Sequence, residues 1–273
     1  MPAACALGAA PLCAEENPAP TYAVMSLIGD SITVNPSWGV LSYARPAGTN
    51  LHIDRRIYDK VEIPRSADVF DDTVAASVMT AVKKQQGNAE FDVLQTSNAS
   101  LYSLQDDIFA RSEQAAAARN GLKAMLGERK DRYLILITKH RNRRAEELGI
   151  DDALADAHVE IVRGSSLPTV RREGLGLYMA HARFRYLTTG QYLSWGLMAY
   201  VDATVRLIDA QTMQVLAEVP ATKTEFVAFK RPLEPIYHVW EETPQNNKTT
   251  MLRYAIAQSM EKAVPRLWMP PSQ

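Results

Sequence analysis

The stretch "YAVMSLIGDSITVNP" (residues 22–36) decides how the rest of the chain is assembled. Apolar residues flank Gly29-Asp30 on both sides, and β-branched Ile32, Thr33 and Val34 favour extended backbone after it. Glycine takes positive φ at no steric cost, so Gly29-Asp30 between two apolar runs reads as a hairpin tip. Asn35-Pro36 closes the second strand with a turn. On this reading Ser31 is the first residue of that strand.

Working outward, "LHIDRRIYDKVEIP" (51–64) alternates: Leu51, Ile53, Ile57, Val61 and Ile63 share one face, as in a half-exposed strand ended by Pro64. Phe70, Val74, Val78 and Val82 then repeat every fourth residue. Asp71 and Asp72 near the start and Lys83 and Lys84 at the end suit the dipole of a helix that stops at Gly87. "FDVLQT" (91–96) is a short strand, and a long helix is expected over about 104–126, closed by Gly127. "YLILIT" (133–138) is apolar on both faces, as in a central strand covered by helices. The order strand–helix–strand–helix–strand implies a parallel segment with right-handed crossovers.

The second half changes style. Residues 176–187, 199–209 and 213–229 are long extended stretches with a turn at Asp209-Ala210-Gln211-Thr212, expected as an antiparallel meander. Leu252, Ile256, Met260, Ala263 and Leu267 form the stripe of a final packing helix, with Pro265 kinking its end. The expected fold is α/β with a mixed sheet: a βαβαβ-like N-terminal part, an antiparallel meander and a C-terminal helix. It is read as one domain over residues 21–273.

Residues 1–20 differ from the rest. They are Ala-rich, hold both cysteines (Cys5 and Cys13) and precede the first basic residue, Arg45. "AACALGAAPLCA" reads as the apolar region of an export signal processed near Ala14, with a disordered tail as the alternative. Lipidation at Cys5 or Cys13 lacks the usual Leu three residues upstream, where Pro2 and Ala10 stand. An exported chain with no later cysteine carries neither a disulfide framework nor a thiolate metal site. The net charge of −1 does not mark a nucleic-acid binder, and no apolar run is long enough for a transmembrane helix.

Gly29-Asp30-Ser31-Ile32-Thr33 resembles the first block of the SGNH/GDSL esterases, in which an apolar strand delivers a nucleophilic serine. That resemblance implies an Asp-x-x-His near the C-terminus and a Gly-x-Asn-Asp block for the oxyanion. Neither is present. The nearest arrangements are Asp156-Ala157-His158, His238 after Glu234-Pro235, and Asn98 in "TSNAS". A serine needs a base and oxyanion donors to attack a carbonyl, so no residue is assigned as catalytic.

The five histidines (His52, His140, His158, His181, His238) show no metal-binding spacing, so no metal ligand is assigned. "KHRNRR" (139–144) reads as a solvated loop balanced by Glu146, Glu147, Asp151 and Asp152. Its alternative is an anion site at the carboxyl end of a parallel strand. "GLGLY" (174–178) lacks the third glycine of a dinucleotide loop, and no cofactor is assigned. His181, Arg183 and Arg185 alternate along one strand, and Asp202, Thr204 and Arg206 along another. Asp202 is expected opposite Arg183 or Arg185, with a basic ligand-binding face as the alternative.

"VRLIDAQTMQVLAE" (205–218) resembles a recurring strand pair of bacterial envelope proteins, the curli-assembly lipoprotein and Tol-type periplasmic domains. There Asp-Ala leads into a Thr-containing turn usually followed by Gly, where this chain has Met213. The resemblance implies a non-enzymatic binding or assembly role in the periplasm or envelope, with a protein or envelope component as partner. A serine esterase using Ser31 and a cytosolic anion-binding protein are the alternatives.

Overall fold

A computed structural model describes residues 19–35, 61–64, 68–105, 107–127, 131–140, 154–162, 174–180, 184–193, 196–228 and 244–269. The expectations for residues 1–18, for 51–60 and for His52, His181, Arg183 and His238 lie outside these residues.

Three parallel strands form one half of an eight-stranded mixed sheet. β1 (Thr21–Ser26) lies between β4 (Glu90–Leu94) and β5 (Tyr133–Lys139). The other half holds β2 (Ser31–Asn35) between β3 (Val61–Pro64) and β7 (Gly174–Ala180). β10 (Gly196–Asp209) joins the halves. β11 (Val215–Ala228) pairs along the whole of one edge of β10, so β5 and β7 share the other edge. β5 pairs with residues 203–209 of β10 and β7 with 196–202, so the two short strands lie end to end.

That arrangement corrects the reading of the opening stretch. β1 and β2 do not pair. Both run antiparallel to β10 by way of β5 and β7, so they point the same way. Residues 27–30 therefore step sideways from the side of β5 to the side of β7, and the chain does not reverse. Turn-forming residue types report a departure from the ladder, not its direction.

The α/β class and the parallel βαβαβ-like segment are as expected. Helix α1 (Asp68–Gln85) buries Phe70, Val74, Val78 and Val82, and α4 (Gln245–Ala263) buries Leu252, Ile256 and Met260. Both cover one face of the sheet, over Tyr22, Val24, Ile135, Ile137 and Val205. Pro265 stands in a 3₁₀ turn, Val264–Trp268, that prolongs α4. On the opposite face Ala23, Met25, Leu27, Leu134, Leu136 and Ile208 pack against the following two helices.

The expected long helix is two helices: α2 (Ala99–Leu104), capped by the Asn98 side chain, and α3 (Glu113–Leu126), capped by Ser112. Arg119 donates to the carbonyls of Ile108 (2.6 Å) and Ala110 (2.9 Å), satisfying the connection between them. Gly127, at φ 55°, ends α3.

The meander is interrupted as well. β8 (Phe184–Tyr186) leaves the main sheet and joins β6 (Val159–Ile161) and β9 (Tyr192–Leu193) in a separate three-stranded sheet. Phe184 packs on Phe226 of β11 at 5.4 Å. Lys223 of β11 pairs with Asp156, just before β6, at 2.9 Å.

Candidate functional site

The sideways step of residues 27–30 brings together the polar groups that bear on function. The last bond of β1 to β5 runs from the Leu27 amide to the Ile137 carbonyl (2.9 Å), and pairing resumes at Ile32 opposite Leu175. The amides in between need other acceptors. Asp71, from the first turns of α1, supplies one: its Oδ1 accepts from the amides of Ile28 (3.1 Å) and Gly29 (2.9 Å) and from the Ser26 hydroxyl. Its Oδ2 accepts from the Tyr102 hydroxyl at 2.9 Å. Burial pushes the Asp71 carboxyl up to about 6, against the pull of those four donors.

Beyond the step, Lys139 ends β5. Its Nζ donates to the Ser31 hydroxyl (2.6 Å) and lies 2.6 Å from Asp30 Oδ1. Its amide donates to the buried side chain of Gln105 at 2.7 Å, and Gln105 in turn donates to the Tyr102 carbonyl at 2.8 Å. The lysine stem passes over Gly174, where a Cβ would come within 2.8 Å of Lys139 Cγ. Gly174, at φ +61°, thus opens β7 in a conformation and a space that both favour glycine. Gly176 fits a second tight approach, because a Cβ there would fall 2.3 Å from the Thr33 carbonyl oxygen. The two glycines of "GLGLY" serve strand packing.

Ser31 is 5% exposed and Lys139 7%. A serine nucleophile needs a neighbour that takes its proton, free oxyanion donors and a route for substrate. Here the serine oxygen accepts from an ammonium that also pairs with Asp30, and the adjacent amides of residues 28 and 29 are held by Asp71. The arrangement ties β2 to β5 across the break in the sheet.

The other candidates are dispersed. His140 Nδ1 meets Thr204 Oγ1 at 3.1 Å. His158 sits at φ 52° beside the small sheet, where its carbonyl accepts from the Leu187 amide. Asn98 caps α2, its side chain accepting from the Ser100 amide. Lys139 belongs to no solvated loop, contrary to the reading of residues 139–144, of which Arg141–Arg144 lie outside the described residues. Asp202 stands opposite Gly174 and Thr222. Arg185 bonds instead to Glu160, because β8 lies in the other sheet, so it is not the partner of Asp202; Arg183, the other residue expected there, lies outside the described residues. Arg206 shares its strand face with Thr204 and bonds to Thr138 (2.7 Å) and Glu218 (2.8 Å).

Among the described residues no group of three or more His, Cys, Asp or Glu side chains is placed to hold a metal ion. No helix among them is long and apolar enough to cross a membrane. Asp71, Tyr102 and Gln105 are the site residues that sequence reasoning missed. Asp71 carried a faint signal, standing directly beside Phe70 of the buried stripe. No protein-family model and no curated protein matches the chain.

Proposed function

We propose that this chain is a non-enzymatic binding or assembly protein of a bacterial envelope, reached by export. The observation that carries the reading is the position of Ser31: the residue a hydrolase would present to substrate is buried and bonded to Lys139 inside the sheet. The Ala-rich start with its two cysteines supports export.

The strand pair in "VRLIDAQTMQVLAE" supports the envelope assignment. It forms a hairpin in which Asp209 Oδ1 accepts from the amides of Gln211 (3.0 Å) and Thr212 (2.7 Å), with Met213 at φ 59° where the envelope proteins usually carry glycine. Those families also combine an early apolar strand, one or two helices, such a strand pair and a final packing helix, and the order of β1, α1 to α3, β10–β11 and α4 is compatible with that. A partner would meet the groove between α1 and α4, lined in part by Ala76, Thr80 and Ala257, or the exposed Tyr192 of β9 and Leu187 just after β8.

Fractionation of cells that express the gene, with mass spectrometry of the chain's N-terminus, tests the proposal. The expected result is protein in the periplasmic or membrane fraction, beginning near Ala14 or at a lipidated cysteine. Cytosolic protein with Met1 intact overturns it. One observation favours a second reading: Lys139 Nζ, 2.6 Å from Ser31 Oγ, stands where a lysine base would stand in a serine hydrolase. That reading requires Ser31 to become acylated.

A further inference from the structure

The geometry points to Asp71 as a proton-binding site built to change charge without losing its hydrogen bonds, with Tyr102 and the Thr96 carbonyl as its relay. The two carboxyl oxygens have separate tasks. Oδ1 takes the Ser26 hydroxyl and the amides of Ile28 and Gly29, and the two amides, which can only donate, fix it as an acceptor. Oδ2 accepts from a hydroxyl, that of Tyr102. Hydroxyls differ from amides in that they can turn round, donating in one state and accepting in the other.

Tyr102 has somewhere to turn. Its oxygen lies 3.5 Å from the Thr96 carbonyl, a stretched contact while the hydroxyl points at Asp71. When a proton from water arrives on Oδ2, the acid donates to the Tyr102 oxygen and the tyrosine redirects its own hydrogen to Thr96. One proton is taken up, no covalent bond other than the new O–H forms, and Oδ1 keeps its three donors. A cleft over Asp71 has polar walls from Ser26, Asp72, Gln95 and Thr96 and apolar ones from Ala75, Val93 and Leu94.

Three ionisable groups flank the carboxyl among the described residues. Tyr102 faces it from α2. Asp72 is its neighbour on α1 and accepts from Gln95 at 2.8 Å, and Asp30 beyond the step is paired with Lys139. Burial, which raises the carboxyl to about 6, brings the change of charge into a mildly acidic range. Its consequence lies in the loop after β4: Thr96 also accepts the Asn98 amide through its hydroxyl (3.1 Å), and Asn98 caps α2. Proton uptake at the step is thereby coupled to the start of α2.

Carbon-13 NMR of the full chain between about pH 4 and pH 8 tests this, reading Asp71 Cγ and Tyr102 Cζ together. Both signals are expected to move with one midpoint, near 6. In Asp71→Asn, whose amide donates where the acid would, Tyr102 Cζ should hold its low-pH position across the whole range. In Tyr102→Phe the Asp71 midpoint should rise, because the carboxylate loses a donor. An Asp71 titration at the ordinary carboxylate value, or a Tyr102 signal that stays still while Asp71 titrates, overturns the relay. The wild-type pair of signals decides the matter should either variant not fold.

Discussion

At the scale of single residues, Lys139 and Asp71 divide the work of the step between them. Replacing Lys139 with Met leaves Asp30 without its ammonium and Ser31 without its donor. Because Asp30 keeps about a third of its side-chain surface in water, the cost should be about 2–3 kcal/mol, read as a lower urea midpoint at unchanged slope. Ser31→Ala removes one hydrogen bond and should cost about 1 kcal/mol. Asp71 gives a pH dependence whose sign runs opposite to that of a salt-bridged carboxylate. Its folded value of about 6 lies above the 3.8 of a free side chain, so the folded state binds the proton more tightly. The contribution of this group therefore falls as pH rises from about 4 to about 6 and is flat above that. Relative to Asp71→Asn, the wild type should gain about 1 kcal/mol between about pH 7 and about pH 5, measured by denaturant unfolding at each pH.

At the scale of elements, the periodic parts were legible and the breaks were not. Phe70, Val74, Val78 and Val82 announced α1, and the unbroken apolar run of 133–138 announced a central strand, because burial writes itself into spacing. Gly29-Asp30 announced only that a ladder ended. Whether the chain then reverses or steps aside depends on which amides find acceptors. Here the acceptor is Asp71, which lies 43 residues beyond Ile28 and 42 beyond Gly29. The break between α2 and α3 was hidden for a similar reason, since Ser112 and Arg119 satisfy it locally while Ile108 stays buried. Glycine positions test this packing. Gly176→Ala would drive a methyl into the Thr33 carbonyl and should cost about 3 kcal/mol or more, whereas Gly121→Ala meets nothing within 4 Å and should stabilise α3 by about 0.5–1 kcal/mol. Thermal or urea unfolding of the two variants separates them.

At the scale of the whole molecule, β10 and β11 act as a spine that spans both halves of the sheet, and the step of residues 27–30 also joins those halves. The candidate site was poorly legible because its members come from four separate places in the chain: Asp30 and Ser31, Asp71, Tyr102 and Gln105, and Lys139. No spacing in the sequence records that meeting, and the phrase that resembled an esterase block occupies the backbone step from β1 to β2. The central claim is that this phrase builds the sheet and does not perform chemistry. The most direct test is to treat the folded full-length chain with a fluorophosphonate probe and locate any adduct by mass spectrometry, with Ser31→Ala as the control. The account predicts an unmodified Ser31 in the folded protein. Stoichiometric labelling of Ser31, lost in Ser31→Ala and in Lys139→Met variants shown to be folded, would contradict it.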